Sequence, residues 1–68
     1  MIEIKVNGET RRVEPGLTLA GLLAELGIEP VHLAIEYNEQ FLDEQADLDG
    51  VTLEAGDRLE IVRFVGGG

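Results

Sequence analysis

One stretch of the chain has the period of a helix. Leu19, Leu22, Leu23 and Leu26 fall at i, i+3, i+4 and i+7, one apolar stripe. Thr18 is a fitting N-cap, its hydroxyl able to satisfy an orphan amide of the first turn. Gly27 suits the left-handed residue that closes a helix, and Pro30 forbids continuation. Gly21 stands where a capping box needs Glu or Gln, so that box is absent. A glycine inside a helix costs roughly 1 kcal/mol against alanine. Close approach to a sheet is one reason to keep it. A lone stripe must bury itself against something else, and the rest of the chain supplies strands.

Ile2-Glu3-Ile4-Lys5-Val6 alternates strictly, so Ile2, Ile4 and Val6 share one face of a strand. Asn7-Gly8 tolerates the positive φ of a two-residue hairpin turn. Thr10-Arg11-Arg12-Val13 returns with Val13 inward, and Pro15-Gly16 ends it. Leu33-Ala34-Ile35-Glu36-Tyr37 is a third strand with Leu33, Ile35 and Tyr37 inward. Asn38-Glu39 turns into the short strand Gln40-Phe41-Leu42. From Asp43 to Gly50 the pattern predicts an acidic loop with a helical turn anchored by Leu48. Val51-Thr52-Leu53 leads through the turn Glu54-Ala55-Gly56-Asp57 into a last strand, Arg58 to Phe64. This order predicts an α+β fold: a mixed sheet of four to five strands with one main helix packed on one face. At 68 residues there is room for one domain with a small core, and no internal repeat.

The last strand carries a second message. With Leu59 and Ile61 inward, the period of two turns Glu60, Val62 and Phe64 to the other face. Only one helix is available, so that face is open to water. Val62 and Phe64 then form an apolar docking patch ringed by acids, with Glu60 and Val65 beside it. Directly after it comes Gly66-Gly67-Gly68. Glycines at a chain end pack no core and cap no helix, but they present a carboxylate on a thin stalk, up to about 10 Å when extended. The expected division is a domain over residues 1–65 and a flexible glycine tail over residues 66–68.

Charge and composition exclude much else. Fourteen acidic residues against five basic ones give a formal charge of −9, which repels a phosphate backbone and attracts a basic docking face. No cysteine and no serine exist in the chain, which removes disulfides, thiolate zinc sites and the usual nucleophiles. His32 is the sole histidine and is expected as a surface or hinge residue. Gln45, Asp47, Asp49 and Gly50 faintly echo a calcium loop, but its twelfth position is Gly56 where a bidentate Glu is needed. No metal site is expected. No stretch reads as a membrane span or signal peptide, so a cytoplasmic chain, monomeric when free, is expected. The terminal glycines lack the Lys and following helix of a phosphate loop. With no means to bind ATP or catalyse alone, the chain reads as a protein substrate.

The strand order, the turn Leu53-Glu54-Ala55-Gly56-Asp57-Arg58-Leu59 and a strand running into terminal glycines resemble the ubiquitin-like sulfur carriers of β-grasp fold. Leu33-Ala34-Ile35-Glu36-Tyr37-Asn38 and Ile61-Val62-Arg63-Phe64-Val65-Gly66-Gly67-Gly68 look most like the ThiS family of thiamine thiazole biosynthesis. The resemblance covers essentially the whole chain. Three departures stand out: Asn38-Glu39 replaces the Asn-Gly of many members, Leu42-Asp43-Glu44-Gln45-Ala46-Asp47 stands where many have a Pro-Arg-Glu-x-Trp-like stretch, and three glycines end the chain rather than two. The resemblance implies that Gly68 is adenylated by a ubiquitin-activating-type (ThiF-like) enzyme using Mg-ATP, with no cofactor bound by the chain itself. Sulfur from a donor such as a cysteine desulfurase then gives a terminal thiocarboxylate, used by a thiazole synthase (ThiG-like). Gly66 and Gly67 would thread the partners' channels. A sister carrier, for molybdopterin, cysteine or tRNA thiolation, has the same tail chemistry. A ubiquitin-like modifier and a plain binding module are the remaining alternatives.

Overall fold

The computed structural model describes residues 1–43 and 45–64. Five strands form one sheet: β1 Ile2–Val6, β2 Glu9–Val13, β3 Leu33–Tyr37, β4 Gln40–Leu42 and β5 Arg58–Arg63. A helix, α1, spans Leu19–Glu25, and a short 3₁₀ helix spans Leu48–Gly50. The sheet order is β2-β1-β5-β3-β4. β1 and β5 run parallel at its centre, and the other pairings are antiparallel. This is the α+β, β-grasp arrangement, with five strands.

Both hairpins close through two residues in the left-handed region. Asn7 and Gly8 have φ of 51° and 83°, and Asn38 and Glu39 have 48° and 70°. The first pair suits its residues; the second holds a glutamate where the backbone favours glycine.

The helix is punctuated at both ends. Thr18 Oγ1 accepts from the Gly21 amide at 3.1 Å. The Leu19 amide donates to Val51 O at 2.8 Å, and the Leu53 amide to Leu17 O at 2.9 Å. The segment after the 3₁₀ helix is thereby zipped to the start of α1. At the other end Gly27 has φ 71° and donates to Ala24 O, while Ile28 donates to Leu23 O. This double closure satisfies carbonyls that the helix leaves free. Leu19, Leu22 and Leu23 are buried against Ile4 and Val6 of β1, Ile35 of β3, and Leu59 and Ile61 of β5.

Three expectations change. β2 begins at Glu9, which pairs with Val6, and β5 ends at Arg63 rather than Phe64. Gly21 does not make room for the sheet. A Cβ there would stand 2.7 Å from Leu17 Cδ1, so the close neighbour is the side chain that precedes the helix cap.

Candidate functional site

β5 lies between β1 and β3, so its outer face is flanked on both sides. Leu59 and Ile61 point into the core, while Val62 and Phe64 remain 54% and 58% exposed. Glu60 is exposed beside them. Val62 stands opposite Ala34 and Glu60 opposite Glu36 in the register with β3. Phe64 extends the ladder by one bond, its amide donating to His32 O at 2.7 Å. His32 has φ 55°, and this left-handed turn aims its carbonyl at the strand end. Glu60, Val62 and Phe64 are therefore brought to one open face. Val65, Gly66, Gly67 and Gly68 lie outside the described residues, and with them the 66–68 tail.

β5 is also anchored, midway along and at its start, by side chains that the periodicity does not single out. Asn7 Oδ1 accepts from the Ile61 amide at 2.7 Å and its Nδ2 donates to Ile61 O at 3.2 Å. The amide side chain thus does the work of one more strand residue after β1 has turned away. Asp57 is 6% exposed and accepts from Tyr37 O–H at 2.6 Å, Asn38 Nδ2 at 3.0 Å and the Glu54 amide at 2.8 Å. Asn38 in turn accepts from the Arg58 amide at 2.8 Å. The β3–β4 turn and the turn before β5 are tied by this network.

Burial pushes the Asp57 carboxyl up, but the hydrogen bonds from Tyr37, Glu54 and Asn38 together outweigh it and hold it below its ordinary value. The Tyr37 hydroxyl is pushed up to about 12, first by its bond to Asp57, then by burial and the nearby charge. The network therefore holds one anion and one neutral phenol across the neutral range. The open face also carries Phe41, 77% exposed on the same side as Glu36, which it opposes across β3–β4. Its place in an alternating strand is the one sequence signal for that exposure. The arrangement fixes where β5 ends and exposes apolar groups there.

Fold and open face together define a β-grasp domain with one sheet face left open. The ThiS family model matches residues 4–68, and the chain belongs to the ThiS family. The crystal structure of a thiamine biosynthesis protein, ThiS, from Geobacter metallireducens aligns with a TM-score of 0.79 at 30% identity, covering 98% of this chain and all of that one. A solution structure of a thiamine biosynthesis protein from the same organism aligns at 0.75, also at 30% identity, covering 98% of this chain and 88% of that one. Thiazole synthases of Magnetococcus marinus and Paramagnetospirillum magneticum match over 67 residues at 39% and 36% identity. These matches cover 98% of this chain, which spans about a fifth (20%) of the length of those relatives. Among the described residues no helix is long and apolar enough to cross a membrane.

Proposed function

We propose that the chain is a sulfur carrier for the thiazole ring of thiamine, with the α-carboxylate of Gly68 as its reacting group. The observation that supports this most is the family match, which runs through β5 and the terminal glycines to residue 68. A carboxylate is a poor electrophile and needs activation. A ubiquitin-activating-type adenylating enzyme transfers AMP from Mg-ATP to Gly68 and releases pyrophosphate. Hydrosulfide, released by a thiol reductant from the persulfide of a donor such as a cysteine desulfurase, then displaces AMP. A C–S bond forms at the Gly68 carbonyl carbon, its C–O bond to phosphate breaks, and a proton passes to solvent. A thiazole synthase accepts sulfur from the resulting thiocarboxylate. The chain is a co-substrate in these steps, working in the cytoplasm where Mg-ATP is available.

The residues have matching roles. Gly66 and Gly67 form the slim lead into each partner's active site. Ordering a backbone costs roughly 1–2 kcal/mol per residue. Docking through Val62 and Phe64, with Val65 and Glu60 beside them, offsets that cost. Modest affinity follows, which suits a carrier that visits several enzymes in turn. The test is a reconstituted mixture of carrier, adenylating enzyme, Mg-ATP, sulfide and thiazole synthase with its other substrates. Deletion of Gly67 and Gly68 abolishes sulfur incorporation on this reading, and a deletion variant that still supports it overturns the proposal.

A further inference from the structure

The open face of the sheet is banded in charge. Lys5 of β1 stands opposite Arg58 of β5 in the parallel register. Two residues further along β5, Glu60 stands opposite Glu36 of β3. Two residues further again, Val62 stands opposite Ala34. Successive rows are about 7 Å apart, the rise of two strand residues. Across β1, β5 and β3 the face is therefore cationic, then anionic, then apolar toward the end of β5, and exposed Phe41 of β4 flanks the anionic row beside Glu36.

Each charged row sets like charges directly opposite each other, which costs the free domain stability. Lys5, Arg58, Glu36 and Glu60 border one shallow hollow with Gly8 and Glu39. Among the described residues, however, the one salt bridge is Arg12–Glu3, at 3.5 Å. The two rows thus share that hollow with no direct ion pair between them among the described residues, and a surface of the opposite order meets both at once.

A second copy of the chain does not provide that order. A twofold axis along the strands lays cations on cations and acids on acids. A twofold axis across the strands, between the charged rows, matches their signs but places Val62 and Ala34 over the Arg12–Glu3 pair. Each copy also carries −9. A nucleic acid or an anionic membrane meets the acidic row and the same net charge.

We propose that this face receives the thiazole synthase of the preceding reading, on which the inference rests, and that the synthase's docking surface is banded in the complementary order: acidic, basic, apolar. In the two relatives from Magnetococcus marinus and Paramagnetospirillum magneticum a segment matching this chain is part of the thiazole synthase polypeptide, which keeps the two units within reach. The bands act as a register gauge. A slip of one row places the partner's basic band on Lys5 and Arg58, so one docking position is favoured, and with it one point of departure for the residues after Phe64.

The test exchanges the charged rows without changing net charge. Lys5→Glu and Arg58→Glu make two cations acidic, and Glu36→Lys and Glu60→Lys make two acids cationic, so −9 is retained. The full chain and this variant are titrated calorimetrically against a thiazole synthase that carries no fused carrier segment. Binding of the exchanged variant is expected to weaken at least about tenfold, with its cooperative melt retained. Should the fourfold variant fail to fold, Glu36→Gln and Lys5→Gln are measured singly, each expected to weaken binding about two- to fivefold without lowering the melting midpoint. Unchanged affinity in the variants, or no binding by the unaltered chain, overturns the proposal. Thiocarboxylate formation with the adenylating enzyme, read by mass in parallel, separates the two failures. If it forms, the carrier reading survives the loss of the banded interface; if it does not, both fall.

Discussion

Asp57 is a demanding place to test the reasoning, because its carboxylate accepts three hydrogen bonds in a nearly closed site. Asp57→Ala removes all three acceptor contacts. The bond from Tyr37 O–H, half-buried and charge-assisted, accounts for about 1.5 kcal/mol. The Glu54 amide accounts for about 1 kcal/mol, and Asn38, exposed and able to turn to water, for about 0.5 kcal/mol. The sum, about 3 kcal/mol, is large beside the roughly 3–10 kcal/mol expected for a domain of this size. It corresponds to a fall of about 12–24 °C in melting temperature. Asp57→Asn retains one acceptor but turns an NH₂ toward a donor and should lose about 2 kcal/mol; Tyr37→Phe should lose about 1.5 kcal/mol.

The same site sets a pH dependence. Its folded-state pKa is depressed, so the Asp57 contribution is complete above the ordinary carboxylate range and is lost as pH falls through the depressed value. Tyr37 acts at the alkaline end: its contribution is complete below its ordinary pKa of 10.0 and is lost as pH rises through about 12. Urea unfolding of the unaltered chain and of Asp57→Asn, at neutral pH and at acid pH, checks both sign and size. The gap between them should narrow below about pH 4. A loss under about 1 kcal/mol for Asp57→Ala, or a gap that persists in acid, refutes the account of the network.

Other substitutions probe the turns, the helix and the open face. Glu39→Gly should raise stability by about 1 kcal/mol, because Glu39 holds φ 70° in a turn that favours glycine; thermal melts decide it. Gly21→Ala gains about 1 kcal/mol of helix propensity but displaces Leu17, so it should be close to neutral alone and stabilising by about 1 kcal/mol in a Leu17→Ala background. An equal effect in both backgrounds would remove the Leu17 explanation. Val62→Ser and Phe64→Ser should leave stability within about 0.5 kcal/mol yet slow thiocarboxylate formation about tenfold, measured as initial rate against adenylating-enzyme concentration.

Much of the fold is legible because its elements carry their own punctuation. Asn7-Gly8, Thr18, Gly27 with Pro30, and Gly56 each mark a boundary by a local backbone requirement. Strand ends shift by one residue because pairing, not periodicity, sets them. Asp57 is different. An acid in a turn reads as solvated, and its burial depends on Tyr37 and Asn38, 20 and 19 residues away. Asn7 likewise serves β5 across 54 residues. Local patterns do not encode such partners. The open face was half legible: alternation predicts exposure of Val62 and Phe64, whereas Phe41 joins them only once the β3–β4 register is known. The left-handed turn at His32, which fixes the end of β5, has no glycine to announce it.

The most direct measurement is the intact mass of the chain after incubation with a ubiquitin-activating-type adenylating enzyme, Mg-ATP and sulfide. The account predicts conversion to a species with one oxygen replaced by one sulfur, mapped to the C-terminal peptide ending at Gly68 and absent from a Gly67-Gly68 deletion. A folded chain that yields neither acyl-adenylate nor thiocarboxylate with an active enzyme contradicts the claim that Gly68 carries sulfur.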